Sequence, residues 1–458
     1  MQTRDLGFAF LLVASAAVLL VLSVSVNAQN TSLQEGWNGA MQSLSTQSQS
    51  FAFVDGVGYV NDGRCSTACD ICQIIKYALT DYNPKNSNGV IIDTRGIGSL
   101  TCTSTDGNPW SALSSTSGLS NIVLLPAGTI AISSPWILPN DTRLIGEGPN
   151  ITTISASSTL SPDMIDMGYE ISTSPCYNPT TSAYDCPGVV IEHLGLNGSG
   201  NTSVNGIVNC CSQEFSRVND VKIVGVNVGL ALTDQYAQNS GPYTNLTMSG
   251  VSQCVTIESD YVGRTLIVTR GVHGLSCSTT GTAASAIQID TSSNSLEDIY
   301  ISGGAGQDGV LIGSQAPTEG NVLVNITGSG LQNVVHISSA NTSSDISILG
   351  VSRSGGTNTI YDQLAGTTLT DANLGMYILG EPVQAGTNNS AGYSRFTTSI
   401  SANAPTWFVG GSAPTGSSCG VGDLYSCTGT TSACTNTAPK QGTVWECLGG
   451  GTTWYPIK

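Results

Sequence analysis

The sequence predicts an all-β protein: a right-handed parallel β-helix, a single-chain solenoid with an N-terminal capping helix and a small disulfide-rich β module at its C-terminus. Three observations carry that expectation. From about residue 188, two families of short strand-like segments alternate along the chain. Each segment alternates apolar and polar residues between Gly, Ser or Asn, which is how a strand reads locally. No 3.6-residue apolar periodicity runs through the region, which excludes a helical solenoid.

The first family reads "VVIEHLGLNG", "VNDVKIVGV", "YTNLTMSGV", "RTLIVTRGV", "LEDIYISGG", "NVLVNITGSG" and "SDISILGVS". Ile191, Val221, Leu246, Leu266, Ile299, Val322 and Ile346 are its expected equivalents, spaced by about two dozen residues. Between them fall "GIVNCC", "GLALTD", "CVTIESD", "AIQIDTS", "GVLIGS" and "VVHISS". One turn of such a coil cannot bury its inner face alone, so turns stack and share a continuous core. Leucine-rich repeats would need regularly spaced leucines, which are absent. A β-sandwich is the alternative architecture.

Upstream, "DICQIIKYAL" carries Ile71, Ile74, Ile75, Ala78 and Leu79 at helical spacing, as a helix closing the open end of the coil would. "GVIIDTRGIG" and "NIVLLPAGTIAISSPWILPNDTRLIGEGPNITTISA" follow. On Pro126, Ala127, Gly128, Thr129, Ile130, Leu138, Pro139, Leu144, Gly146 and Gly148, the chain resembles the pectate lyase-like β-helix superfamily, in particular glycoside hydrolase family 28-related proteins. The resemblance runs over roughly residues 70 to 365 and implies a β-helix and action on a polysaccharide. It does not carry catalytic residues across. The Asn-Thr-Asp, Asp-Asp and Gly-His-Gly segments of family 28 hydrolases are missing, with "VHGLS" the nearest approach to the last. The carboxylate cluster with an Arg or Lys base of the calcium-dependent lyases is not evident either.

Residues 1–28 have the layout of a secretory signal, with cleavage expected after Ala28 and a retained anchor as the alternative. No later segment is apolar enough to span a membrane. The mature chain is expected to be secreted, extracellular or at the cell surface. The expected domains are an N-terminal segment with a Cys-rich capping helix over 29–120, the β-helix over 121–380, a linker-like stretch over 381–418 and the Cys- and Trp-rich module over 419–458.

All 14 cysteines follow the signal, and an even count in an exported chain argues for disulfides. They fall into sets: Cys65, Cys69, Cys72 and Cys102; Cys176 and Cys186; Cys210, Cys211, Cys254 and Cys277; Cys419, Cys427, Cys434 and Cys447. "CSTACDIC" invites a zinc reading, but no histidine lies nearby and structural zinc wants four closed ligands. No cofactor is expected; calcium stays open without residues that indicate it. Net charge is −17, from 14 Lys and Arg against 31 Asp and Glu, and the cations are scattered. Phosphate neutralisation needs concentrated cations, so nucleic acid is not an expected partner. The expected partner is a polysaccharide or cell-surface glycan, and oligomeric state is open.

Strand alternation places candidate chemistry. In "CVTIESD", Val255 and Ile257 point inward and Glu258 outward; in "AIQIDTS", Ile287 and Ile289 point inward and Asp290 outward. Successive turns would make Glu258 and Asp290 neighbours, a catalytic pair for glycosidic cleavage, with Asp234 beside them for substrate binding. The stretch "TRGVHGLSCSTTGTAAS" reads as an insertion overhanging this pair, offering His273 as proton carrier and Arg270 as a substrate clamp. Its plainer reading is a loop tied by Cys254–Cys277. His336, outward two turns after Asp290, would flank the same groove as a substrate-binding residue. The competing function is a non-catalytic cell-surface or matrix rod, with scattered acids and a C-terminal attachment module.

Overall fold

The computed structural model describes residues 51–82, 89–98, 100–102, 107–113, 120–168, 177–178, 183–184, 186–233, 239–258, 271–315, 318, 320–338 and 346–363, with the strand backbones 367–369, 373–379, 394–396, 407–410, 424–427, 444–446 and 455–457. The signal segment, Asp234, Arg270 and Cys176 lie outside these residues.

The chain alternates between two long sheets. The first runs from Ala52–Asp55, Val90–Asp93, Asn121–Leu124 and Thr142–Ile145 through Val190–Asn197, Arg217–Val224, Tyr243–Val251, Val272–Thr279, Ser295–Ser302 and Val322–Ser329 to Ile346–Ser354. The second takes Trp136–Leu138, Asp163–Met167, Asn205–Asn209, Val228–Thr233, Gln253–Glu258, Ser285–Ile289, Asp308–Ile312, Asn333–Ile337 and Asn358–Asp362. Neighbours pair in parallel, and each sheet ends on an antiparallel strand, Asn373–Leu379 or Thr367–Leu369. This is the parallel β-helix. Its first sheet begins well upstream of residue 121.

The core follows from alternation. Leu194, Val221, Leu246, Leu275, Ile299, Ile326 and Val351 stack in register on the first sheet. Ile165, Ile207, Leu230, Val255, Ile287, Val310, Val335 and Ile360 stack on the second. All of these are buried, each contributing about 1.5–3 kcal/mol from removal of apolar surface. The Ile71–Tyr82 helix buries Ile71, Ile75, Ala78 and Leu79 into the same core beside Val90 and Ile92.

Two sequence expectations are corrected. The strand after Tyr243–Val251 is Val272–Thr279, not "RTLIVTRGV", and its core residue is Leu275 rather than Leu266. So "VHGLSC" is sheet, not overhanging insertion. The physical reason lies in one residue per strand. His193, Asp220, Asn245, Gly274, Asp298, Asn325 and Gly350 all have φ between 53° and 71°, and each is the position that the register skips. A left-handed residue bends the strand and shifts its inside–outside parity, so Ile191 and Leu194 both face the core. Asn, Asp and Gly tolerate that conformation best. The bend also displaces the expected equivalents Val322 and Ile346 to Ile326 and Val351.

Disulfides join Cys65 to Cys69, Cys72 to Cys102, Cys210 to Cys211 and Cys254 to Cys277, and Cys186 is also disulfide-bonded. All three cysteines of "CSTACDIC" are thereby held in disulfides. Downstream, a five-stranded sheet forms from Ser394–Phe396, Trp407–Gly410, Leu424–Cys427, Val444–Glu446 and Tyr455–Ile457, its first two strands coming from the stretch expected as linker.

Candidate functional site

The two kinds of connection differ in length. Chain passing from first sheet to second mostly uses shorter turns, from Ser252 alone through residues 225–227, 330–332 and 280–284 up to 198–204. Chain returning from second to first uses residues 210–216, 234–242, 259–271, 313–321 and 338–345, and only 290–294 on the turn that begins with Asp290. One long edge of the coil therefore carries the variable connections, and loops on a rigid scaffold are where sites are built.

Glu258 closes its strand on this edge, in register with Thr233 of the previous turn. Pairing of Ile257 with Ile289 puts Asp290 at the equivalent position on the next turn. Glu258 is half-buried. Asp290 differs from the surface carboxylate expected, being only 3% exposed. Its oxygens accept from Gln288 Nε2 at 2.6 Å, Ser314 Oγ at 3.0 Å and the Gln315 backbone N–H at 2.9 Å. The turn of the following coil folds over Asp290, and Asp290 fastens that turn.

His273 lies on the first sheet in a column with Thr244 and Glu297. Its Nδ1 is 2.9 Å from Glu297 Oε2, and the ring is partly exposed. Gly271 makes room for it: a Cβ there would stand 2.7 Å from His273 Nε2. Four residues on, Cys277 faces the core and bonds to Cys254, the tie that the plainer reading anticipated.

His336 lies on the outer side of the second sheet between Leu311 and Tyr361, two turns beyond Gln288. Its Nδ1 is 2.5 Å from Asp308 Oδ2, and its ring centroid is 4.9 Å from that of Tyr361. Burial works against the charged ring, but the hydrogen bond and charge of Asp308 outweigh it and raise the His336 pKa above the ordinary value. Asp308 orients the imidazole.

Several charged groups escaped sequence reasoning. Arg143 and Arg217 flank Val190 in one column and clamp Glu192, Arg143 at 2.9 Å from Oε2 and Arg217 at 3.1 Å from Oε1. Near the start of the coil, burial, the charge of Asp163 and a hydrogen bond to it push the Asp166 pKa well up. No local motif marks either cluster. The Arg143–Glu192–Arg217 cluster forms only when residues from different turns are stacked, and the bent strands hide that register; Asp163 and Asp166 share one short strand, Asp163–Met167. Among the described residues no three His, Cys, Asp or Glu side chains converge as a metal site, and no described helix is long and apolar enough to cross a membrane.

No family model and no curated protein matches the chain. Among solved structures, the chain is similar to the A-module of the Azotobacter vinelandii mannuronan C-5 epimerase AlgE4, at 14% identity over 55% of this chain and 92% of that one, with a TM-score of 0.28. The A-module of AlgE6 from the same organism gives 11% identity over 68% and 95%, also with a TM-score of 0.28. The Agl-KA catalytic domain gives 11% identity over 63% of each chain and a TM-score of 0.23. Likeness at this level assigns neither family nor activity, and the functional reading rests on the side chains above.

Proposed function

We propose that the protein is an exported carbohydrate-active protein that cleaves a polysaccharide or cell-surface glycan laid along this edge, by hydrolysis or by lyase elimination. The observation that carries the reading is the placement of Glu258 and Asp290 at equivalent positions on successive turns, where chain leaves the second sheet. Adjacent turns stand about 4.8 Å apart, and paired carboxylates about 5–9.5 Å apart suit glycosidic cleavage. Glu258 is the principal carboxylate in this reading. Asp290 is the second, held by its hydrogen bonds, and His273 is a proton carrier oriented by Glu297. Arg270, Asp234 and His336 are assigned to substrate binding. The disulfides suit an oxidising, extracellular compartment.

A second reading, the non-catalytic rod, is favoured by the engagement of Asp290 with the 313–315 turn, since a carboxylate so occupied serves the fold. The two separate in a screen of the purified protein against a polysaccharide panel, following reducing ends and unsaturated products together. Release of either supports cleavage. Silence across the panel, with the protein folded, would transfer the assignment to the rod.

A further inference from the structure

Phe215 sits where its chemistry is least at home. It is 70% exposed, and its backbone φ is 63°. The left-handed region is unfavourable for a bulky residue, by about 1–2 kcal/mol. Hydrogen bonds from Asp141 N to Pro187 O and from Gly188 N to Glu214 O stack Asp141, Gly188 and Phe215 in one column on successive turns. The first two also have positive φ, 53° and 73°. An aspartate and a glycine there suit the conformation; a phenylalanine does not. Strain kept at one residue points to a use for that residue.

The loop that presents Phe215 is built rather than slack. Asn209 Oδ1 accepts from Ser212 N at 2.8 Å, and Asn209 Nδ2 donates to Tyr243 Oη at 2.8 Å. Ser212 Oγ donates to Cys186 O at 2.8 Å, and Val189 N donates to Ser216 Oγ at 3.1 Å. Asn209, Ser212, Ser216 and Tyr243 are fully buried, and the Cys210–Cys211 disulfide fixes the start of the loop. Such preorganisation lowers the ordering cost of binding.

We propose that Phe215 is a stacking platform for one face of a pyranose ring in a neutral glycan, with the Arg143–Glu192–Arg217 cluster two residues along offering hydrogen bonds to ring hydroxyls. The inference rests on the carbohydrate reading above and adds a binding subsite to it. Neutral sugar is favoured by charge. Glu192 offsets one of the two guanidinium charges, Glu214 beside Phe215 balances the other, and the whole chain carries −17. Phe215 follows the Asn205–Asn209 strand and Glu258 ends the strand two turns later on the same edge. A glycan lying along the coil would cross both.

Affinity electrophoresis of the full chain in gels containing β-1,3-glucan, xyloglucan, dextran or galactomannan, with polygalacturonate and alginate in parallel, tests the proposal. At least one neutral glycan should retard the wild type. Phe215→Ala should weaken that retention by about tenfold or more, Phe215→Trp should keep it, and Phe215→Asn should melt no lower than wild type because Asn accepts the left-handed backbone. Unchanged retention of Phe215→Ala would overturn the platform while leaving the carbohydrate reading standing. Retention by the acidic glycans alone would overturn the neutral assignment, and no retention by any glycan would overturn the platform and weaken the carbohydrate reading with it. A lower melting temperature for Phe215→Asn would make Phe215 a packing residue and also overturn the proposal.

Discussion

At Gly271 the backbone takes φ 93°, and a Cβ would meet both His273 Nε2 at 2.7 Å and Ser295 O at 2.8 Å. A methyl group there forces the imidazole or the Ser295 backbone to shift. Gly271→Ala should cost about 1–2 kcal/mol from left-handed strain alone, read by thermal or urea unfolding. If His273 carries a proton in cleavage, activity should fall further than stability explains. A second residue-scale consequence concerns pH. The folded pKa of His336 is raised by Asp308. A raised basic group contributes stability that is fully present below its unfolded pKa of about 6.5 and is lost as pH rises through the folded value. Melting curves should therefore show Asp308→Asn losing more stability at pH 5.5 than at pH 8.5, with the gap closing above the folded pKa. A constant gap would mean that the pair contributes only as a neutral hydrogen bond.

At the scale of the element, the second sheet was easy to read and the first was not. "CVTIESD" and "AIQIDTS" alternate cleanly, and Val255, Ile257, Ile287 and Ile289 are buried as their spacing demands. First-sheet strands carry a left-handed residue in mid-strand, so their period-2 pattern slips and "TLIV" outcompetes "VHGLSC" as the apparent strand. The pairing of Glu258 with Asp290 followed from the clean sheet. That a later turn folds over Asp290 did not, because Ser314 and Gln315 are distant in sequence and carry no motif. Leu275 gives the sharpest check on the corrected register. It is buried between Leu246 and Ile299, so Leu275→Ala should lower unfolding free energy by about 2–5 kcal/mol in a denaturant titration. A near-neutral effect would return the strand to the upstream segment.

For the whole molecule, stacking converts sparse local chemistry into a continuous edge. Each turn adds few side chains, yet Phe215, Glu258 and Asp290 all fall within or beside the connections that return from second sheet to first. Low charge density and abundant Gly, Ser, Thr and Asn made the β-solenoid legible from composition and repeats. The candidate site was less so, because contacts such as Asp290 with Ser314 and Gln315 run between turns. The most direct measurement is kcat/KM of Glu258→Gln against wild type on the glycan that the wild type cleaves, with melting temperatures taken on both. A fall of about 10²–10⁴-fold at an unchanged melting temperature is the predicted result. Equal kcat/KM in the two proteins would contradict the account by removing Glu258 from the chemistry.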